Sequence, residues 1–231
     1  MLSLLMLGFL IGMRHALEAD HLAAVAAISS RETSIRATIR HGAVWGLGHT
    51  TTLFLFGSVV IWMDSAMPQS LARGLEMAVG AMLILLGLDV LRRLLRDRIH
   101  FHVHRHADGQ RHFHAHSHAG ERDHAVSAHE HEHGPFPWRT LFIGFMHGMA
   151  GSAALILLTL NQLDSNWLGM LYMLLFGIGS IVGMAAVSGI IALPLATSAR
   201  RLTWLHNGLQ ASIGLFTTGL GGWVLYQTAA T

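Results

Sequence analysis

The sequence predicts an all-α integral membrane protein: six transmembrane helices forming two inverted three-helix repeats, with a His-rich cytoplasmic loop between them. Three observations predict it. Of 231 residues only 12% are charged and 52% are hydrophobic, whereas a soluble domain carries about 25% charge; the mean hydropathy is +0.46. Six apolar segments have about the 20 residues that a bilayer crossing needs. Most of the arginines, which make up all of the Lys and Arg, lie between those segments or at their ends and not on one folded face. A disordered chain, an ordinary soluble enzyme and a nucleic-acid partner are excluded on these grounds. Cysteine is absent, which removes disulfides, thiolate ligands and cysteine nucleophiles.

The segments run over about residues 2–28, 42–63, 74–95, 138–160, 167–195 and 204–228. The first is longer than the apolar region of a signal peptide and has no basic residues ahead of it. Arg31, Arg36 and Arg40 follow span one; Arg92, Arg93, Arg96 and Arg98 follow span three; Arg200 and Arg201 follow span five. The remaining connections, around Asp64 and Asp164, offer only Arg73. By the positive-inside rule the Arg-rich connections are cytoplasmic, so a multi-pass protein of the cytoplasmic (inner) membrane with both termini outside is expected.

Residues 97–137 interrupt the apolar pattern with 12 of the 18 histidines. They divide the chain into a first three-helix repeat (1–96), the loop (97–137) and a second repeat (138–231). The halves match in order. Gly8-Phe9-Leu10-Ile11-Gly12-Met13 parallels Gly144-Phe145-Met146-His147-Gly148-Met149, and Gly46-Leu47-Gly48-His49 parallels Gly177-Ile178-Gly179-Ser180. Gly74-Leu75-Glu76 parallels Gly208-Leu209-Gln210. An odd number of spans per half inverts the second relative to the first, the plan of secondary transporters that bind substrate near the midplane.

Span one contains Arg14-His15-Ala16-Leu17-Glu18-Ala19-Asp20-His21. Ionisable groups inside a membrane segment are costly and mark functional sites. On a regular helix His15, Asp20 and His21 point in different directions, while Arg14, Glu18 and His21 share a face. Either the helix unwinds so that His15, Asp20 and His21 converge, as in transporter sites, or the polar groups divide between ligands and their supports. An Arg14 ion pair with Glu18 or Asp20 that only locks helices is the structural alternative. Span two adds His49 between glycines and threonines, and span four adds His147 after a Gly-Phe pair. The expected metal ligands are His15, Asp20, His21 and His49, with Glu18 and His147 as lesser candidates. Imidazole with one carboxylate suits borderline divalent ions such as nickel, cobalt, copper or zinc. Asp89, one turn before an Arg cluster, reads as a salt-bridged or solvated helix end, and Glu76, Asn207 and Gln210 read as groups that support the ligands or only pack.

The H-x-x-x-x-D-H pattern His15…Asp20-His21, followed one span later by Leu47-Gly48-His49-Thr50, resembles the nickel/cobalt transporter (NiCoT, or NicO) family, in particular its short, UreH-like branch. The resemblance implies that the first motif marks the metal-carrying helix and that the later Gly-His segment is also required. A cytoplasmic His-rich loop is common among such relatives. The chain departs from the larger permeases in having six spans rather than eight, and Gly144–Ser152 stands where they carry acidic motifs.

In the loop, histidines alternate at 100–106, 112–118 and 129–133, a period that aligns side chains on an extended strand. A hairpin with His106 opposite His112 is expected, or the register set by a two-residue Asp108-Gly109 turn, or else a disordered tract. His129-Glu130-His131-Glu132-His133 satisfies H-E-x-x-H, but its low-complexity setting provides no rigid helix.

No phosphate-binding loop is present, so ATP hydrolysis by this chain is not expected, nor is enzymatic activity or a cofactor. The leading reading is a secondary transporter of Ni²⁺, with Co²⁺ as second candidate, taking up the ion along the membrane potential. Nickel or cobalt efflux by proton exchange is the alternative within transport. A bis-His haem protein and a membrane metal-storage or sensing protein are the alternatives outside it. The expected partners are the lipid bilayer, the divalent ion and a cytoplasmic nickel acceptor protein.

Overall fold

The structure, a computed structural model, describes residues 2–32, 34–63, 68–96, 100–105, 111–116, 136–148, 165–201 and 203–230. Seven helices and one hairpin lie among them: α1 Leu2–His15, α2 Ala19–Ser29, α3 Ile35–Met63, α4 Gln69–Arg96, β1 His100–Arg105, β2 Arg111–His116, α5 Trp138–Gly148, α6 Asn166–Arg201 and α7 Thr203–Ala230. Two helices, Gln69–Arg96 and Asn166–Ser198, are by length and composition able to cross a membrane, and Leu5–His15 and Ala19–Ser29 are shorter apolar helices.

The first apolar segment is not one helix. Neither Gly nor Pro marks the break. Leu17 and Glu18 instead donate their amides to Arg14 and His15, three residues back, at 2.9 and 3.0 Å, and the helix resumes at Ala19 after an extended Glu18. Helices α3 and α4 start several residues before the apolar windows, because Ile35–His41 and Gln69–Arg73 continue the helix as polar turns that hydropathy does not register. The apolar stretch expected at 138–160 is described only as far as Gly148.

Glycines set which helices touch. Helix α1 lies on α6, α3 lies between α5 and α6, and α4 pairs with α7. A Cβ on Gly12 would sit 2.8 Å from the Phe176 carbonyl carbon, and one on Gly179 would sit 2.9 Å from that of Phe9. One on Gly144 would sit 3.1 Å from both the Trp45 carbonyl carbon and the His49 amide nitrogen. Side chains at these positions would separate the backbones, which is the use of small residues at membrane helix crossings.

Around the packed interior the outward faces are apolar: Leu55, Leu85, Ile190 and Leu215 are exposed in the isolated chain. Five tryptophans are exposed too: Trp62 near the end of α3, Trp138, Trp167 and Trp204 at the starts of α5, α6 and α7, and Trp223 in the last two turns of α7. Such placement matches the aromatic belts at membrane–water interfaces.

The hairpin forms, in a register two positions from the expected one. His104 pairs with His112, His102 with His114 and His100 with His116. The correction has a simple physical content. An even slip keeps histidine opposite histidine, whereas the odd slip of a two-residue turn would have exchanged the faces. The residues between the strands, 106–110, with the expected Asp108-Gly109 turn, lie outside the described residues. The third His run, at 129–133, lies outside the described residues.

Candidate metal centre

The break after α1 turns the sequence motif into a cluster. Because the backbone leaves the helix at Ala16–Glu18 and re-enters it at Ala19, His15 and His21 are no longer about 240° apart on one cylinder. Their ring centroids are 4.3 Å apart. Helix α3 brings His49, whose ring lies 5.3 Å from His15 and 4.9 Å from His21. Helix α5 brings His147, 4.4 Å from His21. All four imidazoles are buried.

Two carboxylates hold two of these rings. Glu18 Oε1 is 2.8 Å from His15 Nδ1, and Asp20 Oδ1 is 2.9 Å from His21 Nδ1 and also accepts the His21 amide at 2.9 Å. In the tautomer with the proton on Nδ1, each imidazole donates to its carboxylate and presents Nε2 to the interior. This is the way carboxylates orient metal-binding histidines. The Nε2 atoms of His15 and His49 are 3.2 Å apart, close to the roughly 3.0 Å edge between neighbouring ligands on an ion with bonds of about 2.1 Å. Ligand atoms of His15, His21 and His49 lie within 4.8 Å of one another, and so do those of Asp20, His21 and His147. Ligands on opposite sides of such an ion would be about 4.2 Å apart, so both sets lie near the span that one ion bridges.

Several nitrogens here are buried with no hydrogen-bond partner among the described residues: His21 Nε2, His49 Nδ1 and both ring nitrogens of His147, although His147 Nε2 lies 3.2 Å from Asp20 Oδ2. An unsatisfied buried polar group costs about 1–3 kcal/mol. A bundle built only to pack would have placed apolar side chains there.

The structure thus brings together His15, Asp20, His21, His49 and His147, and places Glu18, 46% exposed, at the edge against His15. Arg14 is exposed, and the carboxylates of Glu18 and Asp20 face imidazoles. Asp89 pairs with Arg31 and lies 3.2 Å from Arg93, as its position predicts. Sequence reasoning missed Trp45, fully buried with its rings 5.4 Å from His21 and 5.2 Å from His147. Its signal was available: Trp45 precedes His49 by four residues and shares its face of α3.

Apolar-faced helices around four buried imidazoles, with two partly exposed carboxylates beside them, make the build of a helical membrane protein. The chain belongs to the NicO family, described as "High-affinity nickel-transport protein", which it matches over residues 1–216. The resemblance drawn from His15…Asp20-His21 and Gly48-His49 therefore holds, and the family is one of membrane transporters, not of enzymes. Over 234 aligned positions, covering the whole chain and 94% of the relative, it is 34% identical to the urease accessory protein UreH of Bacillus sp. (strain TB-90). It is 24% identical over 225 positions to the chloroplast protein FOR GROWTH AND FERTILITY 1 of Arabidopsis thaliana, spanning 90% of this chain and 56% of that one. No solved structure matches the chain.

Proposed function

We propose that the protein is a secondary transporter that carries Ni²⁺ inward across the cytoplasmic membrane, with Co²⁺ as a second cargo, through the cluster at the α1–α2 break. The observation that carries this reading is the convergence of four buried imidazoles, two of them oriented by carboxylates, on a discontinuous helix. His15, His21 and His49 bind the ion through Nε2; Asp20 and His147 complete or exchange the ligand set; Glu18 orients His15. An inside-negative potential supplies about 2.3 kcal/mol per charge per 100 mV, hence about 4.6 kcal/mol for a divalent ion.

We further propose six spans in two inverted repeats, both termini outside. The helix contacts support it. Exchanging the halves turns the α1·α6 contact into the α5·α3 contact, and it maps α3·α6 and α4·α7 onto themselves; all four are among the packed pairs. Ser180, fully buried, stands in the second half where His49 stands in the first.

Accumulation of radioactive nickel in cells carrying the chain, against empty vector, tests the function. Uptake above vector is expected; depletion below vector would establish export by proton exchange, and no difference would remove the transport reading. Replacing the twelve loop histidines with serine should leave uptake within about twofold of wild type. Residues 97–137 have no apolar run of the roughly 20 residues that would place them in the bilayer. Complete loss of uptake at normal expression would place the essential site in the loop.

A further inference from the structure

Beyond the central cluster, one face of α3 carries His41, Trp45 and His49 at successive four-residue steps. Helix α5 answers with Thr140, Gly144 and Gly148. His41 Nδ1 is 2.7 Å from Thr140 Oγ1, Trp45 backs onto Gly144, and His49 backs onto Gly148. At about 1.5 Å per residue this strip runs roughly 12 Å from the cluster toward the Arg-rich end of the bundle. Wetting rises along it: His49 and Trp45 are fully buried, the His41 side chain is 21% exposed, and Glu32, at the end of the strip, is 30% exposed. Glu32 Oε1 lies 3.1 Å from His41 Nε2, so an imidazole nitrogen and a carboxylate oxygen meet here as they do at His147 and Asp20. The Trp45 indole N–H, buried and without a hydrogen-bond partner among the described residues, stands between the two pairs.

Resting on the transport reading above, we propose that Glu32 and His41 form a second divalent-cation site, on the Arg-rich side of Trp45, where the ion leaving the buried cluster is held before release. The ligand atoms are His41 Nε2 and a Glu32 carboxylate oxygen. In the tautomer with its proton on Nδ1, His41 donates to the Thr140 hydroxyl and turns the Nε2 lone pair toward Glu32, where an ion would sit between nitrogen and oxygen. Two ligands open to water hold an ion less tightly than the buried set. Arg31, paired with Asp89, and Arg40 both act on His41 as positive charges and shorten the ion's stay. Such graded affinity is what conduction between successive sites requires.

The test uses the full chain with all twelve loop histidines replaced by serine, purified in detergent and dialysed against nickel chloride. The parent is expected to bind two ions, one tightly. His41→Ala and Glu32→Gln should bind only the tight one, and His21→Ala should keep only the weak one. In cells carrying the native loop, Glu32→Gln should lower the maximal nickel flux about tenfold with little change in the half-saturating concentration, because the ion still reaches an intact buried cluster. Two ions bound by both Glu32→Gln and His41→Ala would overturn the second site, even if flux fell, since a merely structural role lowers flux without removing an ion. Unchanged flux in Glu32→Gln would overturn its place on the route. A parent that binds no nickel removes the buried-cluster reading together with this one, whereas two ions retained in both variants remove the second site alone.

Discussion

Nickel uptake should fall at least about 100-fold in His21→Ala and in Asp20→Ala, with the protein still folded in the membrane. His21 is the centre of the cluster: its ring neighbours His15, His49 and His147 at 4.3, 4.9 and 4.4 Å. Among the described residues, both groups of three converging ligands include it, so its removal breaks both. Asp20 acts on two rings at once, accepting from His21 Nδ1 at 2.9 Å and lying 3.2 Å from His147 Nε2. Without it the His21 tautomer is no longer fixed. Asp20→Asn, which keeps the shape and loses the charge, should recover little. The measurement is initial nickel uptake normalised to membrane-resident protein; wild-type rates in both alanine variants would remove the cluster from the pathway. Wild-type uptake should also decline in acid, because protons compete with the ion for the ring nitrogens and only neutral imidazole ligates.

Gly144→Val should cost the fold itself. A Cβ there already meets the Trp45 carbonyl carbon and the His49 amide nitrogen at 3.1 Å, and valine adds two methyls beyond it. Helices α3 and α5 would have to part, which withdraws His147 from His21 as well. Overpacking of this kind costs typically 1–3 kcal/mol and more where backbone is the obstacle. The expected result is loss of monodisperse protein on detergent extraction, with Gly74→Val, a position with nothing within 4 Å of its Cβ, extracting like wild type. Equal extraction of the two variants would mean that the α3–α5 crossing is looser than its glycines require.

What the sequence conveyed follows from which forces are local. Apolar length follows from the bilayer directly, so the apolar helices were legible, and the H-x-x-x-x-D-H spacing picked out residues that the structure brings together. The convergence itself was legible only as one of two options, because no Gly or Pro marks the turn at Ala16–Glu18; side-chain bonds from Glu18 to His15 and from Asp20 to the His21 amide hold it. Trp45 was hidden by its type, since a tryptophan in an apolar helix reads as packing until the rings around it are placed. The hairpin register was lost for the opposite reason: alternating histidines are satisfied by every even slip, so the strands alone cannot choose among them.

The interruption at Ala16–Glu18 also has a mechanical meaning. Helix α1 leans on α6, whereas α2 touches α7, α6 and α4. The short stretch between them is thus a joint connecting two differently anchored bodies, and His15 and His21 are the side chains on either side of it. In the transport reading proposed above, an ion gripped by both rings would clamp the joint, and an ion released from one of them would free it. Any arrangement of the bundle that spreads those two residues binds the cargo more weakly, and by linkage the cargo disfavours that arrangement to the same degree. In that reading loading and shape change would be a single equilibrium, and the same few backbone bonds that gather the ligands would also decide when the bundle is able to swing.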